Sequence, residues 1–354
     1  MDDLRVILTG DISLNGYWET ADLFPFDSEI TNFIASHDLV FINLESPCKG
    51  DHGENTRKTP RLHTSCNAIQ TLEKIHPDVC VVANNHIYDQ LEDGFIKTKK
   101  AVNSIGSEIT GAGTSKHESQ KPIRFDIGQF HVSVIAFISK QTNPCIPSNA
   151  NIHLNWLETD DLFTIIMSES SLGRFVIVSL HWGEDNSKFP TPDQRRLAFD
   201  LVDAGANIIW GHHPHVVQGW EKYKNATIFY SLGNNCFDDL PEVNTRWDIH
   251  GRKGILVSLI LNQQNPLNYS TEIIPIYRES STSQAHFNYE EREKRNYSKL
   301  SSVLNLRNYE IFYDLYKLKR MIKRSYKYFF GVGRNPLKQI SLLPKRVLNI
   351  FKAN

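Results

Sequence analysis

The residues with the most chemical potential in this chain are Gly211-His212-His213-Pro214-His215, which directly follow the apolar run Ala206-Asn207-Ile208-Ile209-Trp210. A buried strand fixes the backbone there, a turn lets alternate imidazoles converge, and neutral imidazole is the commonest protein ligand for divalent transition metals. Other strand ends carry matching groups. Asp11 follows Val6-Ile7-Leu8-Thr9-Gly10, Glu45 follows Val40-Phe41-Ile42-Asn43-Leu44, Asn85 and His86 follow Cys80-Val81-Val82-Ala83-Asn84, and His181 follows Val176-Ile177-Val178-Ser179-Leu180. Taken singly, each has a plain reading: Asp11 as a turn residue, Glu45 as a solvated strand end, Asp89 as a helix cap. Together they form a mixed nitrogen and oxygen donor set suited to one or two ions of the manganese, zinc or iron class. Such ions lower the pKa of a bound water from about 15.7 toward about 7. His86, adjacent to a ligand candidate, suits a general acid for a leaving group.

Convergence requires a scaffold that brings strand ends to one crevice. Apolar runs at 5–8, 39–43, 79–83, 131–137, 175–180 and 207–210 alternate with amphipathic stretches at 28–36, 67–76, 91–105, 157–170 and 192–204, which predicts an α/β fold with largely parallel strands. In open α/β sheets, ligands bind at the carboxyl ends of the strands. The runs at 227–231, 254–261 and 272–277 follow one another without helices, and an antiparallel sheet or edge is expected there. The polar stretch Ser280-Ser281-Thr282-Ser283-Gln284 reads as a linker. It divides a domain at 1–280 from a helical, basic extension at 281–354.

Composition narrows the class. With 22% charged and 40% hydrophobic residues among 354, the chain is a globular protein and carries no bilayer-length apolar run. Five scattered cysteines, never spaced Cys-x-x-Cys, speak against a disulfide framework or a thiolate zinc site. The net charge of −1 hides an asymmetry, because Leu315–Asn354 holds eleven Lys or Arg and no Asp or Glu. In that tail, Tyr316-Lys317-Leu318-Lys319-Arg320-Met321-Ile322-Lys323-Arg324 mixes basic, aromatic and aliphatic residues, a composition for an anionic membrane surface or a partner protein. No nucleic-acid module accompanies it. The start Met1-Asp2-Asp3-Leu4-Arg5 has no basic leader or signal-type apolar region, so a cytoplasmic protein, peripheral at the inner face of the membrane, is expected. Arg57, Lys58 and Arg61 lie in a Pro-containing loop where they would either contact an anionic substrate or remain solvated.

The ordered set Gly10-Asp11, Asn43-Leu44-Glu45-Ser46-Pro47, Ala83-Asn84-Asn85-His86 with Asp89, Ser179-Leu180-His181-Trp182-Gly183, Gly211-His212-His213-Pro214-His215-Val216 and Tyr230-Ser231-Leu232-Gly233-Asn234 resembles the CapA-type capsule-synthesis (poly-γ-glutamate biosynthesis) proteins of the calcineurin-like metallophosphoesterase superfamily. The resemblance spans roughly residues 4 to 262. It implies a four-layer α-β-β-α sandwich. It also implies metal ligation by Asp11, Glu45, Asn85, His181, His213 and His215, with His86 in the position of the catalytic histidine, Asp89 beside it, and His212 in a supporting role. Ser13 stands where the superfamily carries a ligating His, which implies a tight site on Asn85, His181 and His213 and a weaker one beside it. Asn235 stands where the family usually has Phe. The activity implied is metal-dependent hydrolysis of a phosphoester or an anionic polymer in surface-polymer synthesis. The alternative is a non-catalytic assembly protein that holds a polyanion or the membrane machinery.

Overall fold

Val6, Ile7 and Leu8 are all fully buried, as expected for a strand inside a sheet covered on both faces. The computed structural model describes residues 2–159 and 161–330. In it, Leu4–Ile12 runs parallel to Leu39–Leu44 on one side and antiparallel to Lys253–Leu261 on the other. Val79–Val81 and Glu108–Thr110 extend this sheet in parallel, while Tyr269–Tyr277 and His286–Phe287 extend it antiparallel. In the second sheet Phe130–Ile138, Phe175–His181, Ile208–His212 and Ala226–Phe229 lie parallel, flanked by the antiparallel edge strands Ile123–Ile127 and Trp220–Tyr223.

The two sheets share one core, in which Leu8 and Val81 belong to the same apolar cluster as Val134, Ile177 and Trp210. Helices Ser28–Ala35, Cys66–Gln70 and Leu91–Ser104 accompany the first sheet, and Asp161–Ser171 and Pro192–Asp203 the second, giving the four-layer α-β-β-α sandwich. Their starts follow local rules. Asp27 and Thr191 accept hydrogen bonds from the backbone N–H groups of Ile30 and Gln194, and Thr191 with Gln194 forms a full capping box.

One expectation needs correcting. The run at 227–231 does not join an antiparallel sheet with 254–261 and 272–277. Only the latter two pair that way, whereas Ala226–Phe229 lies parallel to Ile208–His212 in the other sheet. The cause is the intervening strand Trp220–Tyr223, too polar to be read as a strand, which turns the chain back beside Ile208–His212. The first compact unit runs through Asn305, beyond the linker at 280, and takes in the helix Glu291–Leu304. The second unit contains the helix Tyr309–Phe330; the remainder of the basic tail, 331–354, lies outside the described residues. Among the described residues no helix is long and apolar enough to cross a membrane.

After Phe229 the chain leaves the second sheet, and Asn234–Cys236 pairs in parallel with the end of Leu4–Ile12 in the first, Asp11 opposite Asn234. This crossover needs two glycines. A Cβ on Gly211 would sit 2.0 Å from the carbonyl oxygen of Tyr230, and one on Gly10 would sit 2.1 Å from that of Gly233. Both obstacles are backbone. Gly211→Ala and Gly10→Ala are each expected to destabilise the protein by about 3 kcal/mol, read as a lowered urea midpoint; wild-type midpoints in both would show that the crossover has slack.

Candidate metal centre and active site

The crossover brings the end of Leu4–Ile12 against the loop after Ile208–His212, and Asp11 is the meeting point. Fully buried, Asp11 accepts hydrogen bonds through Oδ1 from Asn43 Nδ2 and His212 Nδ1, each at 2.9 Å, and through Oδ2 from the backbone N–H of His213 at 3.3 Å. His215 Nδ1 lies 3.4 Å from the same Oδ2. Burial alone would raise the pKa of Asp11, but the hydrogen bonds from His212 and His215 and their charges outweigh it and hold the carboxyl below the usual range. His212 is thus an anchor for the carboxylate, seated edge-on against Trp210.

Beyond Asp11 the loop is contorted. His213 and His215 both have positive φ, 95° and 57°, with Pro214 between them. Non-glycine residues in such conformations cost about 1 kcal/mol or more each, and here the result is two imidazoles turned into one space, their ring centroids 5.9 Å apart. The His181 ring lies 4.9 Å from that of His213. His181 Nε2 is 2.8 Å from Asn85 Oδ1 and 3.4 Å from Glu45 Oε1. Metal-type donor atoms of Asp11, Glu45 and His215 lie within 4.8 Å of one another, as do those of Asp185, His213 and His215. The six ligand candidates from five strand ends therefore share one site.

The residues fit a divalent cation. Both oxygens of Glu45, fully buried, lack a hydrogen-bond partner, and so do Nδ1 of His181 and Nδ1 of His213. Burial, reinforced by the charge on Asp11, pushes the Glu45 carboxyl well up. Burial pushes His181 well down, helped by His213, and takes His213 to about 4, so both rings are neutral donors at pH 7. His215 moves the other way. Despite burial it is raised to about 10 by the Glu45 and Asp11 carboxylates, a proton taking the place a cation would fill.

Around this set lies a cleft of about 330 Å³ with Asn85, His86, Asp185, His215, Trp247 and Lys58 among its walls. His86 is 96% buried, with Nδ1 2.6 Å from Asp89 Oδ2 and its backbone N–H bonded to Asn84 Oδ1. Of the three loop cations, Lys58 is buried. Its Nζ lies 3.0 Å from Asp89 Oδ1 and 3.2 Å from His86 Nδ1, and it donates to the Asn85 carbonyl at 2.5 Å. Burial first, and the charge of Lys58 second, lower the pKa of His86. Arg57 is exposed, and Arg61 pairs with Glu54 and Glu242, so neither shares the cleft wall with Lys58.

The roles of three residues are not legible in the sequence. Asp185, 3.4 Å from His213 Nε2, is an acidic residue in a polar loop with nothing to set it apart. Asn234, in a motif already singled out, places Oδ1 2.9 Å from His215 Nδ1 and donates to the Gly251 carbonyl. Asn235 accepts from the Gly10 N–H at 2.6 Å and donates to the Ile255 carbonyl, so its amide ties the two strands. Ser13, buried, donates to Asn15 Oδ1 at 2.7 Å.

Comparison with known proteins agrees in sequence over the same region. Residues 5–239 match the family described as bacterial capsule synthesis protein PGA_cap. The capsule biosynthesis protein CapA of Bacillus anthracis is 28% identical over 248 residues, covering 67% of this chain and 60% of that protein. The PGA biosynthesis protein CapA of Bacillus subtilis is 29% identical over 252 residues, covering 67% and 64%. The chain thus spans less than two thirds of the length of either relative. Among solved structures, a 5'-nucleotidase precursor from Thermus thermophilus aligns with a TM-score of 0.41 at 13% identity, over 77% of this chain and 54% of that one. The match across 5–239, which contains the whole donor set from Asp11 to His215, places this chain in the bacterial capsule synthesis protein PGA_cap family.

Proposed function

We propose that this protein is a divalent-metal-dependent hydrolase of phosphoester type that acts in the synthesis of a capsule or poly-γ-glutamate-like surface polymer. The polymer rests on the family and on the names of its relatives. The chemistry rests on one observation: the fully buried carboxyl of Glu45, with no hydrogen-bond partner, lies among the neutral His181 ring, the ionised Asp11 and a His215 ring that holds a proton between the two carboxyl groups. An uncompensated group of this kind costs several kcal/mol in a protein interior unless a cation is present, roughly 3 kcal/mol or more for a charge left unpaired. Asp11, Glu45, Asn85, His181, His213 and His215 would hold one or two ions, with Asp185 supplying a carboxylate on the side of His213. A divalent ion bound there supplies Lewis acidity and an acidified water.

The protein's own residues do the rest. Asp89 holds His86 through Nδ1, leaving Nε2 as the nitrogen that passes a proton to the leaving oxygen. Lys58 ties Asp89 and the Asn85 carbonyl together, keeping the proton donor in register with its neighbouring ligand. Phe237 and Trp247 pack around the His215 ring, at centroid distances of 4.8 and 5.1 Å, and shield that side of the site from water.

Metal content is the first check. In elemental analysis, His213→Ala and His215→Ala should each carry less metal than wild type, with His215→Ala lower because its ring belongs to both donor groups. Glu45→Gln should raise the melting temperature of EDTA-treated protein, by an amount equivalent to about 1–3 kcal/mol, and erase the further rise that manganese gives wild type. A fall in the melting temperature of the treated variant would mean that Glu45 is compensated from within the protein. Catalysis is the second check. With manganese and bis-p-nitrophenyl phosphate, His86→Ala should lose about 10²- to 10⁴-fold in kcat. If wild type itself shows no metal-stimulated turnover, the protein holds its polymer or machinery without cutting it.

A further inference from the structure

A second concavity, which shares no wall residue with the cleft, is a groove of about 930 Å³ whose walls include Arg252, Lys253, Arg278, Arg292, Tyr277 and Glu293. Its charges are unevenly matched. Lys253 pairs with Glu293 at 2.6 Å. Among the described residues, Arg252, Arg278 and Arg292 have no carboxylate within ion-pair distance. Arg278 is the unusual one. It is 97% buried, and its guanidinium donates only to neutral carbonyls, Nη1 to Ser281 at 3.0 Å and Nη2 to Phe237 at 2.8 Å, while its Nε has no partner at all. Arg252 donates through Nη1 to the Glu279 carbonyl, and its Nε is also buried without a partner.

A guanidinium is always charged at neutral pH, and burying one against carbonyls alone forgoes the ion pairing that normally offsets desolvation. Burial indeed lowers the pKa of Arg278; Asp238 and Asp239, the nearest carboxylates to act on it, are beyond ion-pair distance, and Arg252 adds repulsion. The other two carboxylates of the groove, Glu279 and Glu290, are exposed, whereas the unpaired guanidinium is buried. An anion entering from solvent would complete the electrostatics that the chain leaves open. Planar, forked guanidinium donors favour carboxylate and phosphate oxygens.

We propose that this groove is an anion-binding site that takes an oxyanion group, carboxylate or phosphate, on Arg278, Arg252 and Arg292. It is separate from the metal centre and independent of the reaction assigned to that centre. Two short links nevertheless join them. Arg278 holds the carbonyl of Phe237, whose ring lies against His215; and Gly251, beside Arg252, holds Asn234, which holds His215 Nδ1. An anion in the groove would thus bear on the backbone that positions one ligand candidate.

Calorimetric titration of the full chain with glutarate and, separately, with inorganic phosphate tests the site. Arg278 is too buried to replace without risk to folding, so the double variant Arg252→Gln, Arg292→Gln is used, with its melting temperature as the check on the fold. Saturable binding of at least one probe is expected, weakened at least tenfold in the double variant and within twofold of wild type in Glu45→Gln, which disables the metal centre and leaves the groove intact. Tighter binding of glutarate identifies a carboxylate source, and tighter binding of phosphate a phosphorylated one. The proposal is overturned if neither probe binds, if the double variant binds as wild type does, or if Glu45→Gln abolishes binding.

Discussion

The arrangement depends on how closely two strands and one crossover can approach. The segment from Tyr230 to Cys236 passes from the second sheet to the first, and it fits only because Gly10 and Gly211 present no side chain to its carbonyls. Those glycines immediately precede the residues that do the chemistry. Asp11 follows one and the histidine loop follows the other, so the steric requirement of the crossover and the placement of the donors are a single constraint. Asn235 adds a polar tie, bonding the Gly10 N–H and the Ile255 carbonyl from the same segment. A large apolar side chain there would have to replace two buried hydrogen bonds with packing.

Electrostatics then decides what the assembled site requires. Asp11 is compensated, with its oxygens engaged by Asn43, His212 and the His213 backbone. Glu45 is not, and the proton taken up by His215 is a local answer to two carboxylates in one dry space. A divalent cation would displace that proton and leave both carboxylates ionised. The family resemblance suggests ligands from positions in a motif, whereas the open valences of Glu45, His181 and His213 suggest them from the cost of leaving buried groups unsatisfied.

Much of this was legible in the sequence because strand ends carry their own signal. An apolar run that stops at a histidine or carboxylate marks both a strand and a buried polar group, and every such run from Val6 to Trp210 became a strand. Asp185 and the work of Lys58 were not legible. Each sits in a polar loop whose conformation is set by contacts distant in sequence, and a lysine in such a loop reads as solvated until Asp89 is found beneath it. The short strands Glu108–Thr110 and Trp220–Tyr223 were missed for a related reason. They are partly exposed edge elements, held by pairing with a neighbour rather than by an apolar pattern of their own. The strand Ala226–Phe229 is legible as a strand, and it does pair antiparallel with an edge strand, but its parallel place beside Ile208–His212 is not legible, since a sequence run shows that a strand exists but not which neighbours it will join.

His215 is where these separate constraints meet. Its ring takes part in both donor groups, packs against Phe237 and Trp247, and is oriented by Asn234, while its backbone adopts a left-handed conformation after Pro214. Each contact reaches it from a different part of the chain: the crossover, the turn at 247–251, and the strand end itself. A side chain held from so many directions has little freedom to relax, so a change in any one support moves the imidazole against Asp11 and Glu45. Arg278 bears on that network through the carbonyl of Phe237, with charge that no carboxylate of the described residues neutralises at close range. The unsatisfied guanidinium of Arg278 and the unsatisfied carboxyl of Glu45 are therefore joined through one imidazole, the first by way of Phe237 and the second through the donor group it shares with His215.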